Sequence, residues 1–216
     1  MLVIEGSRRL KLPSILRQVE AYWEGLRPLG DIPNRDQVQP RGLESALDYS
    51  FILEFSKTGE VVFRLSGERL GDLLGMPLER VPLAALFARN LQKQVKDSVG
   101  AVFQSPGILR AEITSVASVM QPALHGHLLI LPLRGPDQLI SRALGVLYFD
   151  GNVGKAPRQF TQFNHNMTRV MLCNAVSIAD LVNEPMGMAE APAEFAHKKG
   201  RPEGRPNLKI ISGGLK

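Results

Sequence analysis

Residues 61 to 75, Val-Val-Phe-Arg-Leu-Ser-Gly-Glu-Arg-Leu-Gly-Asp-Leu-Leu-Gly, constrain this chain more than any other stretch. The first half is rich in β-branched and aromatic residues and reads as a strand; after Ser66-Gly67 the apolar residues fall at helical spacing. Tyr49 to Phe55 reads as a partner strand, and Lys57-Thr58-Gly59-Glu60 as the compact turn between them, with glycine where a positive φ is needed. A hairpin therefore feeds straight into a short helix. Ser66 is placed to cap that helix, and Gly75 to end it. Gly67, Gly71 and Gly75 recur every fourth residue in a charged, short segment, which points to close backbone packing and helix ends.

The remaining elements follow in a definite order. Pro82 to Ala88 reads as a short helix, and Asn90 to Phe103 as a longer one with the stripe Leu91, Val95, Val99, Val102 and Phe103, ended by Gly107. Three strands follow at Ile108 to Ala117, Gly126 to Leu133 and Ala143 to Asp150, joined by turn-rich pieces at Met120 to Pro122 and Gly135 to Gln138, so the pairing is antiparallel. Leu128 to Leu131 and Leu144 to Phe149 are apolar on both faces. Such strands need helices on one side and terminal helices or a partner subunit on the other, and dimerisation through that second face is the physical expectation. The sequence predicts a last helix from Arg158 to Val182 on Phe160, Phe163, Val170, Met171, Ala175, Ile178 and Leu181. Upstream, Pro13 to Leu26 reads as a helix with Ile15, Val19, Trp23 and Leu26 on one face. Arg27 to Gln39 has turn chemistry, and Pro40 to Leu47 reads as a short helix. The fold class is α+β: a five-stranded antiparallel sheet with helices on one face, plus flanking N- and C-terminal helices. The organisation is an N-terminal helical extension over 1–48, a core over 49–151, a C-terminal helix over 152–184 and a flexible basic tail over 185–216.

A chain of 216 residues with 44% hydrophobic content suits one packed domain with extensions. Its single cysteine, Cys173, leaves no internal disulfide and fits a reducing compartment. No apolar run reaches the roughly 20 residues of a membrane span, and Met1 to Leu12 carries Glu5 and several basic residues, so cytoplasm is the expectation. The net charge is +5, of which the tail supplies +3, with six basic residues (Lys198, Lys199, Arg201, Arg205, Lys209, Lys216) against three acidic ones (Glu190, Glu194, Glu203). A basic extension of this kind keeps a nucleic-acid-associated regulator as the alternative reading. Its end, Leu208-Lys209-Ile210-Ile211, is either a docking patch or a terminal apolar stub.

The chemistry-bearing residues are sparse. The sequence holds no glycine-rich phosphate loop, no His-Glu-x-x-His pair and no Gly-x-Ser-x-Gly turn. Cys173, inside an apolar stretch with no basic neighbour, reads as a buried structural thiol. His125 and His127 alternate on a strand and so share a face, a spacing that suits a metal, but two ligands are too few. An exposed or hydrogen-bonded pair is the other reading. The expectation is no metal site and no catalytic residue.

Residues 13 to 150 resemble a family of stand-alone bacterial PAS-domain proteins. The resemblance rests on Tyr22-Trp23-Glu24 with Leu26-Arg27, on Pro40-Arg41-Gly42-Leu43, and on Phe63-Arg64-Leu65-Ser66-Gly67 followed by Arg69-Leu70-Gly71, with a similar closing segment at Leu208 to Gly213. It implies a PAS fold and a signalling role, and brings no catalytic residues. Some PAS modules hold haem through a histidine on the long helix, or flavin through a cysteine on a short helix before it; neither residue occurs between Glu68 and Phe103, so haem and flavin are not expected. The usual PAS ligand space, between the long helix and the sheet, would be lined by Phe63, Phe103 and Tyr148, with Arg64 and Arg110 on strands as anchors for an acidic ligand; the same residues also suit a solid core. The resulting reading is a non-catalytic cytoplasmic sensor or interaction module. It would be a homodimer, work through an unidentified signalling protein and take a small apolar ligand.

Overall fold

A computed structural model describes residues 12–56, 58–117 and 121–172. The opening hairpin pairs β1 (Ser50–Phe55) with β2 (Val61–Ser66), in antiparallel register from Phe51 opposite Ser66 to Phe55 opposite Val61. Gly59 turns it with φ at +80°, donating its N–H to Ser56 O at 3.0 Å. One residue later α2 (Glu68–Leu74) begins, and Gly75 ends it. Ser66 does not cap this helix: it is the last strand residue, and Gly67 occupies the cap position with no side-chain bond. Gly67 is glycine for a steric reason. Its N–H donates to Ser50 O at 2.8 Å, and an added Cβ would sit 2.3 Å from the Asp48 carbonyl oxygen.

The long helix α3 (Gln92–Gln104) buries Val95, Val99, Val102 and Phe103. It stops at Gln104, before Gly107, which instead opens β3 (Gly107–Ser115). β4 (Leu124–Arg134) and β5 (Ile140–Asp150) follow, and all pairings are antiparallel. The sheet has six strands in the order β2-β1-β5-β4-β3-β6, one more than the sequence predicts. The extra strand, β6 (Gln162–Arg169), lies where the sequence predicts a helix. Along it Phe163 is buried and His165 and Met167 half-buried, while Gln162, Asn164, Asn166 and Thr168 are exposed. That is a period of two, and the edge of β3 supplies a partner for every residue from Gln162, opposite Thr114, to Arg169, opposite Gly107. The rest of the expected helix, from 173 to 182, and the basic tail lie outside the described residues, as does Cys173.

Two clusters of buried side chains flank the sheet. The inner one joins Phe51, Phe63, Leu70, Leu73, Phe87, Val99 and Phe103 with Leu109, Leu128 and Leu147. The outer one packs α1 (Ser14–Leu26) and the segment up to Ala46 on Leu129, Leu131, Leu133, Leu144 and Val146. Helices thus cover both faces, the second through a terminal helix, one of the two covers the sequence left open. The second apolar face is closed by the chain's own N-terminal segment. The fully buried row of α1 is Leu16, Val19 and Trp23; Ile15 and Leu26, expected on that face, flank it half-buried. Trp23 fixes the docking, because its Nε1–H donates to Pro132 O at 2.9 Å beneath a side chain with no exposed surface.

Candidate functional site

The N-terminal segment does not seal the outer face completely. Pro40–Tyr49 forms a 3-10 helix, with Pro40 preset for its first position and Leu43 and Ala46 turned inward. Its end is tied down by Ser50, whose buried Oγ donates to Ala46 O at 2.7 Å. Between this helix and the ends of β1 and β2 lies a cleft of about 330 Å³. Val38, Leu43, Ile52 and Leu144 form an apolar floor, and all four are buried. Leu47 and Leu65 stand at the rim 46% and 55% exposed. A register shift between Ile52 and Leu53 sets Leu65 opposite Ile52, on the outer face, while Phe63 stays opposite Leu53 on the inner one. Asp48 and Glu68 bring carboxylates to the rim and Arg35 a guanidinium.

None of the five residues expected to line a pocket borders this cleft. Phe63 and Phe103 do share the inner cluster: Phe63 meets Phe51 edge-on at 5.2 Å, and Phe103 stacks on Phe55 at 5.3 Å. Tyr148 belongs to the opposite face, half-buried and 5.1 Å from the Tyr49 ring. Arg64 is exposed and pairs with Glu54 at 3.1 Å, a carboxylate that Arg142 also holds at 3.0 Å. Arg110 reaches across to α1, where it pairs with Glu20 and donates to Thr168 Oγ1 at 3.2 Å. It lines a separate hollow with Arg17, Glu20 and Glu24. The sheet therefore separates the aromatic pair from Arg110 and Tyr148. Leu47 and Leu65, which sequence reasoning passed over, carried one signal: each is a leucine beside Asp48 or Ser66-Gly67, where a buried strand or helix should already have ended.

The titratable groups lie elsewhere. His165 places Nε2 3.0 Å from Ser98 Oγ and stacks on Phe163 at 4.7 Å; burial holds its pKa below the ordinary imidazole value. His127 is also held low by burial, against the opposing charge of Glu112, and its Nδ1 is buried without a hydrogen-bond partner. His125 lies 3.4 Å from Thr114 Oγ1. Among the described residues no three His, Cys, Asp or Glu side chains gather as a metal site. Asp31 behaves oppositely. Burial pushes its carboxyl up, but the Arg134 hydrogen bond, the Ile32 N–H and the charges of Arg134 and Arg27 outweigh this and hold it below the usual value. Arg158 is 1% exposed and spends its guanidinium on neutral acceptors: Ser115 Oγ at 3.0 Å, Val153 O at 3.2 Å and Pro122 O. It staples the 151–160 strap to the sheet, a structural role. No described helix is long and apolar enough to cross a membrane.

Against known proteins, a family model for a PAS domain matches residues 11–148. No curated protein and no solved structure matches the chain. The chain belongs to the PAS-domain family, a class of sensor and signalling modules.

Proposed function

We propose that this PAS-domain protein is a non-catalytic sensor and interaction module, which takes a small, partly apolar ligand in the cleft beside Pro40–Tyr49 and acts through protein–protein contacts. The observation that carries the reading is the exposure of Leu47 and Leu65 above the buried floor of Leu43, Ile52 and Leu144. A ligand there would remove two leucines from water and bridge the 3-10 helix to β2, while Arg35, Asp48 and Glu68 give it orientation. By binding one arrangement of that helix better than another it would shift a pre-existing equilibrium, which a partner can read. The aromatic pairs Phe51–Phe63 and Phe55–Phe103 occupy the inner face, which favours the outer cleft over the interior as the ligand position. A cytoplasmic homodimer that engages a signalling protein completes the reading. Arg64, Lys96, Arg110, Arg134 and Arg142 each sit on a carboxylate, which supports protein contacts over basic residues tracking phosphates. Ser98 and His165 do not border the cleft, and no catalytic step is assigned to them.

Native mass spectrometry of the protein purified from its own host, compared with its denatured mass, tests this. The expected result is a reproducible added mass that disappears in Leu65→Asp, a surface change expected to alter stability by no more than about 0.5 kcal/mol. Wild type without added mass, or a variant that keeps it, overturns the cleft as the ligand site.

A further inference from the structure

The two edges of the sheet are treated very differently. At the β2 edge, Phe63 N–H donates to Val81 O at 3.0 Å, Arg80 N–H donates to Phe63 O at 2.7 Å, and Pro82 bridges Val62. That edge is covered and ends in a proline, and Arg64 adds a charge to the strand. At the β6 edge the cover stops early. Phe160 is bracketed by Leu86 O and Ala88 N–H, both at 2.9 Å, but Gln162–Arg169 runs past that segment.

The ladder to β3 fixes which main-chain groups of β6 are left over. Val170 N–H donates to Pro106 O at 2.9 Å, and antiparallel alternation then directs Thr168, Asn166, Asn164 and Gln162 at β3. Thr161 N–H reaches Thr114 O at 2.8 Å, as a bulge before Gln162 requires in the same phase. Phe163, His165, Met167 and Arg169 consequently point N–H and C=O away from the sheet. No other described strand lies beyond them. The strand Gln-Phe-Asn-His-Asn-Met-Thr-Arg contains no Lys, Asp, Glu or Pro, the residues that keep edges from pairing.

We infer that β6 is a self-association edge, on which the β6 strand of a second copy pairs antiparallel and joins two six-stranded sheets into one. This deepens the homodimer part of the proposed function and rests on it. Charge selects the occupant and the direction. Arg169 is the strand's only fixed charge. Parallel pairing would set two of them side by side. The antiparallel register that uses all four outward residues places Asn166 on the two-fold axis and Arg169 against the Phe163–His165 ring stack of the second copy. The two Arg169 side chains are then about 20 Å apart along the strands, well beyond the screening length of about 8 Å.

The test is the mass in solution of the full chain, by light scattering, with main-chain hydrogen exchange at low and high protein concentration. Wild type should have twice the 23.8 kDa chain mass. The Phe163, His165 and Met167 amides should be slowed at high concentration only, whereas those of Asn164 and Asn166 should be slow throughout. Met167→Pro, which removes an outward N–H and is tolerated on an edge, should give a folded monomer. A dimer that survives Met167→Pro, or whose outward amides exchange fast at every concentration, overturns the edge and leaves the homodimer reading standing. A monomeric wild type overturns both. Outward amides protected equally at every concentration mean that another part of the same chain lies on the edge, which also overturns the inference. The exchange measurement on wild type decides even if Met167→Pro fails to fold.

Discussion

The inner face of the sheet buries the larger set of apolar side chains and the outer face the smaller, and the two are closed by different means. On the inner face, rings meet rings: Phe51 with Phe63, Phe55 with Phe103, and Phe87 with both Phe160 and Phe163. On the outer face, Leu129, Leu131, Leu133, Leu144 and Val146 are covered by an aliphatic helix held by one indole and by a 3-10 helix that leaves a cleft. Large rings fill the space between α3 and the sheet, whereas the aliphatic contacts on the other face leave a cleft beside the covering element. The face nearest the familiar PAS ligand space is thus filled with rings, and the cleft of the proposed function lies on the face closed by the N-terminal segment.

The strongest way to break this comparison is Phe63→Ala. Phe63 has no exposed surface and should cost about 3–5 kcal/mol in urea unfolding, because the surrounding rings cannot collapse into the space. Trp23→Phe on the other face should cost about 1–3 kcal/mol, most of it from leaving the Pro132 carbonyl without its donor, and should loosen the N-terminal segment before the sheet. Equal losses at the two positions, or limited proteolysis that no longer begins near α1, would remove the distinction between the two faces.

The smallest effect sharpens the contrast through pH. His127 on the outer face and His165 on the inner one are each held below 6.5 by burial. Near pH 6 the unfolded chain binds more protons at these positions than the native one, so stability rises with pH through that range and is lost progressively as pH falls below 6.5. The melting temperature should be lower near pH 5 than near pH 7.5. His127→Gln and His165→Gln should each flatten part of that slope; a slope unchanged in both variants would exclude these imidazoles as its source.

Much of the fold was legible because local chemistry and tertiary structure agree. The turn at Gly59, the α2 stop at Gly75 and the α3 stripe from Val95 to Phe103 lie where their residues predict. Residues 162–169 misled, since Phe160, Phe163 and Val170 suit helical spacing while the free edge of β3 offers eight residues a ladder. Ile15 and Leu16 are neighbours of equal hydrophobicity, and only the path of α1 across the sheet chose Leu16 for the core. The candidate site was less legible than the fold. The cleft is made by residues from 35 to 144, and beyond the element ends beside Leu47 and Leu65 no local pattern reports that these distant segments meet.

By itself the sequence determined the strand-to-helix step at Ser66-Gly67, the antiparallel connections and the helical stripes, since these follow from residue periodicity and turn chemistry over a few positions. Tertiary structure alone decided that a sixth strand joins β3, that the N-terminal segment closes the second face, and that Arg64, Arg110 and Tyr148 part company with Phe63 and Phe103. Those outcomes depend on which surfaces meet, and a contact between residues far apart in the chain leaves no periodic trace in either of them.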